Sequence, residues 1–157
     1  MQIRPIEPKD DLAVKKLVQD CLAEYQLNLP GTAYFDPQLT SLAEYYANLE
    51  YGFYWILEED QQVVGGVGIG PYAHTFGTCE LQKLYIQKAS RGKGYSNQLI
   101  KKALDFAAQH YQQVYLETFA KLKVANQIYP RYDFKKLAKP LAGTEHTACD
   151  TWYLKQL

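Results

Sequence analysis

Arg91-Gly92-Lys93-Gly94-Tyr95-Ser96 places two cations and two glycines within six residues, between an apolar strand-like segment and an amphipathic one. A helix N-terminus offers free backbone N–H groups and the positive end of the helix dipole, and glycines ahead of it let a bulky phosphate approach without meeting a Cβ. The run reads as a seat for an anion, to which Arg91 and Lys93 would each add a charge-assisted bond worth ~1.5–3 kcal/mol in a partly desolvated site. A tight turn with solvated cations is the alternative. A Walker A loop is excluded, because no GxxxxGK[ST] occurs and Lys93 is followed by Gly94 and Tyr95. A second glycine run, VVGGVGIG from Val63 to Gly70, matches a dinucleotide fingerprint only loosely, since Pro71 and a turn follow where a helix must open on the pyrophosphate. It reads as a glycine-rich strand that lets another backbone or a ligand come close. Cys21, Cys79 and Cys149 are widely spaced, with no Cys-x-x-Cys and only three histidines, so neither a disulfide framework nor a metal site is expected.

The elements that must position RGKGYS follow from periodicity. Gln2 to Ile6 alternates as a strand, and Pro8, Asp10 and Asp11 open a helix with Val14, Leu17, Val18, Cys21, Leu22 and Tyr25 on one face. A Pro- and Gly-marked loop leads to a second helix within Leu39 to Leu49, and Phe53 to Leu57 and Val63 to Ile69 form a hairpin around EEDQQ. Leu81, Leu84 and Ile86 belong to a strand, and a helix beginning near Gly94 carries Leu99, Ile100, Ala103, Leu104, Ala107 and Ala108 as its apolar stripe. With Val114 to Phe119 as the next strand, this is a parallel strand–helix–strand unit. Val124 to Tyr132 reads as a further helix that Pro130 ends or kinks, before strands at Phe134 to Leu137 and Cys149 to Leu154. The sum is a mixed α/β sheet in a single domain spanning 1–157.

Charge and hydropathy narrow the partners. Seventeen Lys plus Arg balance seventeen Asp plus Glu, so no net field draws the chain to nucleic acid or an anionic membrane. The longest Gly/apolar run has eight residues, too short to span a bilayer, and a cytoplasmic location is the expectation.

The surroundings of the glycine turn resemble the GNAT superfamily of acyl-CoA-dependent N-acyltransferases. Arg91-Gly92-Lys93-Gly94-Tyr95 matches that family's Gln/Arg-x-x-Gly-x-Gly/Ala motif, with Ser96 in the last place; ELQKLYI resembles its fourth strand, and Ala125-Asn126, Ile128-Tyr129 and Phe134 resemble its closing "A…LY…GF" signature. Asp133 stands where a Gly is usual, which a left-handed backbone at Asp accommodates. The resemblance implies a mostly antiparallel central sheet of about six to seven strands flanked by about four helices. It further implies acetyl-CoA as cosubstrate. Leu84, Tyr85 and Ile86 would pair with the pantetheine arm, the amides of Arg91, Gly92, Lys93, Gly94, Tyr95 and Ser96 would cradle the pyrophosphate, and Asn126 would contact the pantetheine or else cap a helix.

Acyl transfer to an amine needs a neutral nucleophile, and an ammonium of pKa ~10.4 left protonated at neutral pH adds ~4 kcal/mol to the barrier. Glu80, eleven residues before Arg91, has the offset of the general-base glutamate in histone-acetylating members of that family and would take the proton directly or through a water, with a cross-strand salt bridge as the alternative. Strand alternation puts Glu80 on one face with Gln82 and Leu84, opposite Leu81 and Lys83. Tyr129 corresponds to the tyrosine that resembling enzymes use toward the coenzyme A sulfur; a phenol near ~10 is a weaker acid than a thiol near ~8.5, so hydrogen bonding to the developing thiolate describes it best. Acceptor binding falls to Tyr34, Phe35, Asp36, Tyr45, Tyr46, Glu145 and His146, a set suited to a small-molecule amine. The expectation is an N-acetyltransferase acting by direct attack in a ternary complex, open to a homodimer; a catalytically silent acyl-CoA-binding or sensor domain is the rival.

Overall fold

A computed structural model describes all residues, 1–157. The strands are β1 (Gln2–Pro5), β2 (Phe53–Glu59), β3 (Gln62–Pro71), β4 (Thr78–Ile86), β5 (Gln113–Thr118), β6 (Lys135–Leu137) and β7 (Thr151–Gln156). The helices are α1 (Asp11–Glu24), α2 (Leu42–Ala47), α3 (Tyr95–His110) and α4 (Lys123–Ile128). All seven strands form one sheet in the order β1-β2-β3-β4-β5-β7-β6, antiparallel throughout except for the β4–β5 pair that α3 connects. The expected mixed, mostly antiparallel sheet with four helices is the fold observed. No helix is long and apolar enough to cross a membrane.

The sheet is covered on both faces, as its residue pattern requires. On one face Leu81, Val114 and Leu116 pack with Leu99, Ile100 and Ala103 of α3. On the other, Tyr54 and Ile56 pack with Val14, Val18 and Leu22 of α1 and with Leu42 and Tyr46 of α2. Trp55 and Leu57 join the α3 side, so β2 alternates between two cores instead of between core and water. Asp60 and Gln61, at φ +51° and +62°, make the two-residue turn between β2 and β3. The glycines of β3 mostly leave room for side chains: a Cβ on Gly66 would lie 2.5 Å from the Tyr54 hydroxyl, and one on Gly68 would lie 2.4 Å from that of Tyr46, while at Gly65 the neighbouring backbone also comes close, with the Tyr85 carbonyl oxygen 3.2 Å from where a Cβ would stand.

Two features of β4 shape the sheet around the glycine turn. The β3–β4 register passes from Gly66↔Tyr85 to Gly68↔Gln82, so Lys83 and Leu84 together oppose Val67, and Lys83 takes φ +49°. This bulge resets the alternation. Glu80 and Gln82 share their face with Lys83 and Tyr85, whereas Leu84 joins Leu81 and Ile86 against α3, which corrects the simple alternation expected for Lys83 and Leu84. Second, β4 pairs with β5 only from Thr78↔Gln113 to Glu80↔Tyr115. Beyond Glu80 the two strands diverge.

Candidate active site

A cavity of about 450 Å³ occupies the divergence, lined by β4 from Glu80 to Ile86, by Glu117, Thr118 and Phe119, by Ile128 and Tyr129, and by the turn from Ser90 to Ser96 except Lys93. Its three parts follow from three local structures.

At one end lies the glycine turn. Gly92 and Gly94 have φ +80° and +77°, and no atom lies within 4 Å of where a Cβ would stand on either. The turn is open above both glycines, and the first amides of α3 lack intrahelical acceptors, so the backbone fits a phosphate. The two cations do not serve as expected. Arg91 donates through Nε to the Ile86 carbonyl at 3.0 Å and through its guanidinium to Glu24 of α1 at 3.0 and 3.1 Å. Lys93 lies outside the cavity lining and donates to both oxygens of Glu59 at 2.9 and 3.0 Å, where the Tyr95 hydroxyl also donates at 2.6 Å. Both cations therefore fix the turn to its neighbours, leaving amides and dipole to face an anion.

The middle is the β4 segment Leu84, Tyr85 and Ile86, bonded to β3 on one side and facing the gap on the other. An extended chain with amides can pair there as an added strand would. Tyr129 faces the same space. Pro130 stops α4 at Ile128, a tight 3₁₀ turn runs from Tyr129 to Tyr132, and Asp133 takes the left-handed conformation at φ +63°. The Tyr129 ring packs against Phe134 and Tyr153, its hydroxyl has no protein hydrogen-bond partner, and burial raises its pKa well above that of a free phenol. Asn126 does not face the cavity: its Nδ2 donates to the carbonyls of Phe119 and Leu122, both at 2.9 Å, and its Oδ1 accepts from the Tyr153 hydroxyl at 2.9 Å. Its amide thus braces α4 against β7, with both its polar ends engaged inside the protein, whereas the resemblance had it contact the pantetheine or cap a helix.

At the far end Glu80, Glu117 and His146 each bring a polar side-chain atom within 4.8 Å of the others. Glu80 accepts from Gln82 Nε2 at 2.8 Å, and Gln82 in turn accepts from the Tyr46 hydroxyl at 2.7 Å; no salt bridge engages Glu80. Burial raises its pKa, the Gln82 bond opposes the rise, and the neighbouring Glu117 charge adds to it. Glu117 accepts from the Tyr115 hydroxyl at 3.2 Å and from the Thr144 hydroxyl at 2.5 Å. His146 Nε2 lies 3.0 and 3.1 Å from the two Asp36 oxygens, and Asp36 pairs with Lys83 at 2.6 Å, the Lys83 side chain being only 3% exposed. Burial works against the charge on Asp36, yet the His146 hydrogen bond and the Lys83 charge hold its carboxyl below the usual range. Burial likewise opposes protonation of His146, and the bond to Asp36 raises its pKa nevertheless.

Of the expected acceptor residues, Asp36 and His146 are thus brought together. Tyr46 is buried, Phe35 is exposed, and Tyr34 meets Phe35 edge to face without lining the cavity. Glu117 escaped the sequence reading, although a carboxylate inside the apolar strand VYLET is a signal in itself, because charges are rarely buried without a task. Lys83 escaped because the bulge that turns it inward leaves no trace in the alternation.

The family model of "Acetyltransferase (GNAT) family" matches residues 18–134. "Uncharacterized N-acetyltransferase YjgM" of Escherichia coli (strain K12) is 34% identical over 158 residues, covering 99% of this chain and 94% of that protein. Among solved structures, an acetyltransferase of the GNAT family from Staphylococcus aureus Mu50 superposes with a TM-score of 0.84 at 18% identity, covering 99% of this chain and 98% of the other. The structure of yncA from Salmonella typhimurium with its cofactor acetyl-CoA superposes with a TM-score of 0.78 at 17% identity, covering 99% and 93%. At such identities the two structures speak for the fold alone.

Proposed function

This chain belongs to the GNAT acetyltransferase family, and from that premise we propose that it transfers the acetyl group of acetyl-CoA to a primary amine of a small molecule, by direct attack in a ternary complex. The observation that carries the reading is the continuity of one cavity from the Gly92–Gly94 turn, along the unpaired side of β4, to the half-buried carboxylates Glu80 and Glu117. The yncA structure, which holds acetyl-CoA, supports the choice of donor.

Bound along this path, acetyl-CoA supplies an activated thioester. The amides of Gly92 to Ser96 hold the pyrophosphate, and the backbone of Leu84 to Ile86 aligns the pantetheine. The acceptor enters as an ammonium, and Glu80, whose raised pKa makes it a better base than a solvated glutamate, removes one proton. The neutral nitrogen attacks the carbonyl carbon; a C–N bond forms, the C–S bond breaks, and the second nitrogen proton passes to the departing sulfur. Tyr129, a weak acid by virtue of its burial, hydrogen-bonds to the sulfur as charge develops there. Glu80 then loses its proton to solvent, leaving amide, free thiol and one proton as net products.

A panel of primary amines with acetyl-CoA, read by thiol release, tests the proposal. Amine-dependent release is expected; acetyl-CoA binding without release for any amine would instead favour a silent binding domain.

A further inference from the structure

The proposed acetyl transfer leaves the acceptor class open, and the far end of the cavity narrows it. We infer that Glu117 is a second ammonium-binding carboxylate beside Glu80, and that the acceptor is an alkylamine with no carboxylate next to its amine. The inference rests on the proposed function.

Position comes first. Glu80 and Glu117 belong to the two strands that diverge, β4 and β5, and so flank the gap from opposite sides where a thioester aligned along β4 would end. Hydrogen bonding comes next. Glu80 is engaged only through Oε2, by Gln82, and Glu117 only through Oε2, by Tyr115 and Thr144, so the Oε1 of each receives no protein hydrogen bond. The two carboxylates bring oxygens within 4.8 Å of each other. An ammonium donating to two acceptors at roughly 2.8 Å with tetrahedral geometry spaces them about 4.6 Å apart, so the pair is close enough for one nitrogen to bridge it.

Charge decides the rest. Apart from the two glutamates, the acidic or basic side chains lining the cavity are Lys83, Arg91 and His146; its cysteines and tyrosines are neutral thiols and phenols. Arg91 sits at the opposite end on Glu24, and Lys83 and His146 both lie on Asp36. Ionised, Glu80, Glu117 and Asp36 outnumber Lys83 and His146 whether the imidazole is neutral or charged. An added cation lessens that excess in either case, and cancels it when the imidazole is charged. A carboxylate on the carbon next to the amine would face Glu80 and Glu117 with no uncommitted cation to receive it, and like charges in a site of reduced dielectric repel strongly.

Butylamine and norvaline form the discriminating pair, since norvaline is butylamine with a carboxylate on the amine-bearing carbon. With acetyl-CoA saturating, kcat/KM for butylamine should exceed that for norvaline at least 100-fold. Glu117→Gln should raise KM for butylamine at least tenfold, change kcat less than threefold, leave KM for acetyl-CoA unaltered and narrow the discrimination below tenfold. Glu117→Asp should recover part of the loss. Equal or better use of norvaline, or unchanged amine KM in Glu117→Gln, would overturn the inference while leaving acetyl transfer intact. So would stoichiometric binding of Mn²⁺ or Zn²⁺ abolished by Glu117→Gln, coupled to loss of activity in EDTA. If no amine is acetylated, the proposed function fails instead, and calorimetric titration of butylamine and norvaline into the coenzyme A-loaded protein decides this inference by the same preference.

Discussion

At the residue scale the proposed acetyl transfer assigns its chemistry to Glu80 and Tyr129, and the environment of each makes a distinct prediction. A base must be ionised to work, and burial beside Glu117 raises the Glu80 pKa, so kcat/KM should climb with pH through an apparent value above the ordinary glutamate range of ~4.3 that belongs to the carboxylate pair. Glu80→Gln should lower kcat by roughly 10²-fold or more and remove that acid limb. The same shift has a stability sign. The folded state holds the Glu80 proton to higher pH than the unfolded chain does, so stability falls as pH rises from the unfolded to the folded value and stays lower above it. Glu80→Gln should therefore unfold at a higher temperature than the parent at neutral pH, with the gap closing below about pH 4, as calorimetry across that range would reveal. Tyr129→Phe removes a hydrogen bond to a developing charge and should lower kcat about 10- to 100-fold with acetyl-CoA affinity retained, which stopped-flow turnover and equilibrium binding would separate. Glu80 was singled out by its offset of eleven residues from Arg91 and Tyr129 by the closing Ile128-Tyr129 signature, and both line the cavity. Glu117 and Lys83 were not singled out, because one sits across a strand pair formed by distant segments and the other owes its inward position to a bulge.

At the scale of elements, packing holds the proposed phosphate cradle in shape. Glu24 from α1 and Glu59 from β2 grip Arg91 and Lys93 from two sides, so the loop is held in shape by residues far from it in sequence. Gly94→Ala puts a Cβ into the space above the turn and imposes a left-handed φ on alanine, costing about 1–2 kcal/mol. KM for acetyl-CoA should rise about tenfold while the amine KM holds, a split that two-substrate kinetics measures. The glycine positions and the order of strand, turn and helix were plain in the sequence. The partners of Arg91, Lys93 and Asn126 were not, since a side chain's choice between ligand and protein depends on which element packs beside it.

Across the whole molecule the sheet is almost continuous, with seven strands and apolar cores on both faces, and its single opening is the wedge between β4 and β5. The periodicities of the strands and of α3 made the architecture readable; the wedge was invisible, because strand pairing ends by geometry and not by residue type. That wedge divides β4 into two kinetic regimes of amide exchange. From Thr78 to Glu80 the strand is bonded to β3 or β5 on each side, whereas from Leu81 to Ile86 the amides that point at the gap have no strand to answer them. In deuterated buffer the first group should exchange slowly and the gap-facing group quickly, and addition of acetyl-CoA should slow the second group selectively. Nuclear magnetic resonance would read out this footprint residue by residue, marking the path of the donor through the protein before any acceptor is known.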